Sequence, residues 1–125
     1  MAKVRWPKLP RYLVPLFDSA NIYLARTRDE WIQAEKALGV DAGPLSFTLG
    51  RCRHYHNEST GENMYLIGVF DNSLSTLVHE CAHATFYCCS DVGVTVKTDE
   101  PNETYCYLLD RMFSHFLPYI SSQDK

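Results

Sequence analysis

The string Leu77-Val78-His79-Glu80-Cys81-Ala82-His83 has the residue types and spacing to do chemistry. On a helix, imidazoles four residues apart project from one face, about 40° apart, and can grip a single Zn²⁺. The glutamate between them points partly aside, where its carboxylate can reach a metal-bound water as a general base. A catalytic zinc needs a third protein ligand, which leaves the fourth position to water. Metzincin spacing would place glycine at position 86 and histidine at position 89, and the chain has Phe86 and Cys89 there. The remaining downstream donors are Asp91, Asp99, Glu100, Glu103, Asp110 and His115. Asp91 lies too near the end of the histidine-bearing helix to fold back onto it. Glu103 opens a second helix after nineteen intervening residues, and that helix can pack across the first and present a carboxylate to the metal.

These residues need a scaffold. Residues 74 to 89 read as a helix, with Asp71-Asn72-Ser73 offering caps before it and Gly93 closing the segment. At about 100° per residue, Leu74, Leu77, Val78, Cys81, Thr85 and Cys88 fall opposite His79, while the histidines share their face with Phe86. Glu80 is the single charge between Leu74 and Cys89, so the histidine face is expected to sit half-buried in a cleft. A linker ending at Pro101 leads to Asn102 as N-cap of a last helix, running from Glu103 to Phe116 and stopping before Pro118. Tyr105, Leu108, Leu109, Met112, Phe113 and Phe116 form its apolar stripe.

Upstream, Asn21 to Arg26 predicts a short strand. Thr27, with Glu30 three residues on, has a capping-box pattern and predicts a helix over 28 to 38, stopped by Gly39. Leu45 to Leu49 alternates apolar and polar residues and predicts a strand, and Asn63 to Phe70 predicts another; the polar run Asn57 to Asn63 makes them a hairpin. Residues 1 to 19, basic, aromatic and proline-rich, read as an extended arm. The order β-α-β-β-α-α describes an α+β domain spanning 1 to 125, a small, mainly antiparallel sheet with the two metal-bearing helices on one face.

Composition narrows the classes. The 125 residues are 46% hydrophobic and 22% charged, enough for one core and too few for a separate cofactor domain. A net charge of -3 lacks the basic excess of a nucleic-acid binder. Lys3, Arg5, Lys8 and Arg11 in the arm are offset by the acidic body. No run approaches the roughly 18 apolar residues of a membrane span, and Pro7, Pro10 and Pro15 interrupt any secretory h-region. Five cysteines, Cys88 and Cys89 adjacent, show no disulfide spacing. A cytoplasmic, reducing setting is expected.

His79-Glu80-Cys81-Ala82-His83, followed by Asn102-Glu103, resembles the gluzincin metallopeptidases of the thermolysin type. LVHECAHATF and PNETYCYLL together are also similar to short zincin-like proteins of bacteriophages and prophages. The resemblance covers residues 74 to 116 and implies a minimal zincin-like fold, Zn²⁺ on His79, His83 and Glu103, and Glu80 as catalytic base. It implies a peptide or protein substrate and, for a phage protein, the host cytoplasm. Larger members carry a further domain that walls the cleft, and its absence from this chain implies narrow specificity. One turn after Glu103 the family commonly holds an acid, where this chain has Tyr107. Tyr107 could orient His79, donate to an oxyanion, or pack as a core tyrosine.

A second class stays open: a non-catalytic, metal-stabilised interaction protein, for example phage-encoded and binding a host factor. There Glu80 would be dispensable and the histidines essential. The enzyme is favoured because a structural zinc site normally has four protein ligands. An edge strand over 63 to 70 could align an extended peptide. The oligomeric state is left open. Elsewhere, Cys52, His54 and His56 alternate along a strand and could share a face as a second metal site, though Arg51 and Arg53 interleave them and a solvent-facing strand end is the favoured reading. Cys81 falls on the core face. Asp110 reads as a surface carboxylate, and His115 as a helix-end cation.

Overall fold

Large apolar residues at every second position of Ala20–Ala25 and Asn63–Val69 build the centre of a four-stranded sheet. The computed structural model describes residues 4–41, 43–45 and 47–121. The elements are β1 (Arg11–Leu13), β2 (Ala20–Ala25), α1 (Arg28–Ala37), β3 (Gly50–His56), β4 (Asn63–Val69), α2 (Leu74–Asp91) and α3 (Glu103–Ser121). Strand order is β1-β2-β4-β3. β2 runs parallel to β4, while β1 with β2 and β3 with β4 are antiparallel. The domain is therefore α+β with a mixed sheet. Among the described residues, no helix is long and apolar enough to cross a membrane.

The pleat sends alternate side chains into two cores. Ile22, Leu24, Tyr65, Ile67 and Val69 meet Leu77, Cys81, Ala84 and Cys88 of α2 and Leu108, Met112, Phe116 and Ile120 of α3. Ala25 and Leu66 face the other way, against Trp31 and Ala34 of α1. Both histidine-side helices thus lie on one face and α1 covers the other.

Several expectations change. The arm is part of the sheet: Arg11, Tyr12 and Leu13 pair with Tyr23, Ile22 and Asn21. The strand expected over Leu45–Leu49 does not form; Ser46 lies outside the described residues. The Arg28 side chain donates to the carbonyls of Leu45 (2.8 Å) and Thr48 (2.7 Å), which holds this segment as a loop. Leu45 is buried while Phe47 is 97% exposed. The strand begins at Gly50 instead, in register opposite Val69. The segment expected at a sheet edge, 63 to 70, is β4 and sits between β2 and β3, so the edges are β1 and β3.

Caps account for the helix starts. Thr27 accepts from Glu30 N–H at 3.0 Å, and the Glu30 carboxylate accepts from Arg26 N–H at 2.8 Å, one residue outside the expected capping box. Ser73 caps α2 by accepting from Thr76 N–H. Asn102 does not cap α3 with its side chain, which closes the preceding loop onto the backbone of Lys97 and Glu100. Its own backbone is left-handed (φ 54°) and turns the chain into α3. α3 runs through Pro118 to Ser121 because Phe116 and Ile120, on either side of the proline, are both buried in the core.

Candidate metal centre

Four residues after β4 ends, α2 starts and runs back along the sheet. Leu77, Cys81, Ala84 and Cys88 face the sheet and fix the helix rotation. That rotation puts His79 and His83 on the outer face. Their Nε2 atoms are 3.2 Å apart and their rings stand nearly perpendicular, at 81°. Two nitrogens bound to one tetrahedral ion at about 2.0–2.1 Å lie about 3.3 Å apart, so the pair has the spacing of two zinc ligands. Both histidines are exposed. The half-buried face expected from the lack of charge on α2 is not found, because Leu74, Val78, Phe86 and Tyr87 are themselves largely exposed.

Glu80 points towards β3 and is only 6% exposed. Burial raises its carboxyl pKa, and nearby His79 and His83 oppose part of that rise. Among the described residues no hydrogen-bond donor is recorded on its carboxylate. It lines a cleft of about 380 Å³ with Thr48, Leu49, Gly50, Ser75, Thr76 and His79. Gly50 is what lets the helix approach: a Cβ there would lie 2.5 Å from Thr76 Cγ2 and 2.9 Å from Glu80 Oε2. The cleft lies at the start of edge strand β3, and Leu49 stands exposed in its lining. Sequence reasoning missed Gly50, whose one signal was a glycine opening the Arg51–His56 alternation.

The predicted third ligand lies apart from this group. Glu103 is exposed at the first turn of α3 and lines two other hollows, one beside Tyr12, Leu13 and Leu16, the other beside Val94 and Val96. Among the described residues, no three His, Cys, Asp or Glu side chains are grouped to hold an ion. Tyr105, two residues on, touches α2 through the ring of Phe86 (centroids 4.5 Å) and its hydroxyl reaches the Ala82 carbonyl at 3.5 Å. Tyr107 lines the hollow beside β1 and is 63% exposed, so it is not a packed core tyrosine. The structure brings His79, Glu80 and His83 together, and leaves Glu103 and Tyr107 outside their cleft.

The minor candidates resolve simply. Burial pushes the Cys81 and Cys52 thiols up to about 12, with the Glu80 charge adding to it, so both are protonated near neutral pH. All five cysteines are free thiols. Asp91 accepts from the Tyr65 hydroxyl, Asp110 accepts from Ser114 at 3.3 Å, and His115 Nε2 lies 2.7 Å from the Arg11 carbonyl, tying α3 to β1. Neither a protein family, nor a curated protein, nor a solved structure matches this chain.

Proposed function

We propose that the protein is a zinc-dependent hydrolase, a metallopeptidase of narrow specificity, built as a minimal zincin-like domain. The observation that carries this reading is the 3.2 Å separation of His79 and His83 Nε2 atoms beside a buried Glu80. His79 and His83 would hold the Zn²⁺, which would supply a Lewis acid and a water acidic enough to react near neutral pH. Glu80 takes a proton from the attacking water and passes it to the leaving amine. Gly50 keeps space for this carboxylate. The free edge of β3 runs from the cleft and can align an extended peptide by main-chain hydrogen bonds, the role first expected of residues 63 to 70. Glu103, the third ligand expected from the sequence, opens α3 outside this cleft, as does Tyr107, so the reading rests on the histidine pair and Glu80. The substrate is a peptide or protein in a reducing cytoplasm, that of the host if the chain is phage-encoded.

Metal analysis after dialysis against limiting zinc tests the site. About one equivalent is expected, lost in His83→Ala and weakened in Glu103→Ala; zinc retained in full by both variants overturns it. Glu80→Gln should keep the metal and lose peptide hydrolysis. A metal-stabilised binding protein would lose its fold in His83→Ala and lose nothing in Glu80→Gln.

A further inference from the structure

We propose a second divalent-metal site at the turn end of the β3–β4 hairpin, held by His54 Nε2, His56 Nδ1 and Asn63 Oδ1. β3 starts beside Glu80 and ends at His56, about 20 Å away for six residues of strand. The site is therefore separate from His79 and His83 and does not rest on the proposed hydrolase.

Register brings the three side chains together. His56 lies directly opposite Asn63, and His54 is two residues away on the same face of the strand. The Asn63 Oδ1 atom is 2.8 Å from His54 Nε2 and 2.9 Å from His56 Nδ1. Ligands about 2.1 Å from one ion and at right angles to each other lie about 3.0 Å apart, so both nitrogens are near enough to Asn63 Oδ1 to share an ion with it. Without an ion, the same atoms satisfy one another as two imidazole N–H groups donating to the amide oxygen.

The His54 ring is held in place. It stacks on Tyr65 with centroids 4.6 Å apart and planes 16° from parallel. Tyr65 stacks in turn on Tyr87, and its hydroxyl donates to Asp91. Glu58 and Glu62, from the intervening turn, line a hollow of about 630 Å³ with His54 and His56, adjoining Asn63 rather than including it. Their charges raise the local concentration of cations without occupying the ligand positions. Both imidazoles are exposed, so an ion enters without opening the fold. Two imidazoles and an amide oxygen are a donor set that suits a divalent ion of the Ni²⁺ or Cu²⁺ type, with water in the remaining positions.

Calorimetric titration of the full chain with Ni²⁺ at pH 7.5 tests this, in a His79→Ala/His83→Ala background that removes the other pair. One equivalent of Ni²⁺ should bind. His56→Ala should abolish that binding, and Asn63→Ala should weaken it about tenfold. His54→Ala should also abolish it, with an unchanged amide NMR spectrum elsewhere showing that the fold is kept. Binding weaker than about 1 mM overturns the site. So does binding that survives His56→Ala, or that disappears already in the double-alanine background.

Discussion

Glu35 and Glu80 lie on opposite faces of one sheet, both near fully buried, and their surroundings could hardly differ more. Glu35, on α1, is 0% exposed and takes three donors: Trp31 Nε1 at 2.9 Å, the Arg53 guanidinium at 2.7 Å and the Tyr55 hydroxyl. Its two oxygens are saturated with donors and closed off from solvent. Glu80, on α2, has no recorded donor among the described residues, a cleft in front of it and two imidazoles beside it. A saturated carboxylate holds elements together, whereas an unsaturated one beside open space is free to exchange a proton. The same residue type, at similar burial, is saturated with donors on one face and open to a cleft on the other.

Glu80→Gln puts the larger strain on this contrast. On the proposed hydrolase reading, peptide hydrolysis by the zinc-loaded protein should fall about 10²–10⁴-fold, the usual contribution of a positioned general base, with no loss of melting temperature. A variant that hydrolyses like wild type removes the contrast. Glu35→Ala should do the reverse. It strips the partner from three donors and leaves a void, costing about 2–4 kcal/mol by urea unfolding, while leaving kcat per folded molecule in place. Gly50→Ala couples the two measures. Its added methyl collides with Thr76 and Glu80, so about 1–3 kcal/mol of stability should go together with part of the activity.

The smallest effect is a pH dependence. Because burial raises the Glu80 pKa, the folded state holds that proton more tightly than the unfolded chain. The stabilisation it brings is complete below the ordinary glutamate value of about 4.3 and is lost as pH rises through the higher folded value. Metal-free Glu80→Gln should therefore gain stability relative to wild type as pH is raised through that window. His79 and His83, once protonated, oppose the trend, and Cys52 and Cys81 stay neutral throughout. A gap that shrinks with rising pH contradicts the assignment.

The parts legible in the sequence were those set by local order. His79, Glu80 and His83 stand out because i, i+4 spacing on a helix needs no knowledge of the rest of the chain. The Thr27 and Ser73 caps and the start of α3 at Glu103 are local in the same way. What failed depended on distant partners. Leu45–Leu49 alternates like a strand, but Arg28 takes its carbonyls. Asn63–Val69 reads as one strand wherever it lies in the sheet, and its central place follows from parallel pairing with Ala20–Ala25. Pro118 reads as a stop until Phe116 and Ile120 are seen in the core. The role of Glu35 was invisible because two of its three donors, Arg53 and Tyr55, come from β3 and reach it only through the fold.

The placement of His79 and His83 one turn apart on an exposed helix face has a thermodynamic consequence. An ion held by that pair alone is fastened to α2 and to nothing across the domain. Unfolded chain that keeps a nascent α2 can still bind it, so zinc would raise the melting temperature little. If Glu103 joins the ion, α2 is fastened to α3, and binding then favours the folded state alone, by about 2.7 kcal/mol at a hundredfold excess over Kd. The zinc-dependent rise in melting temperature, compared between wild type and Glu103→Ala, therefore counts how many helices the ion joins.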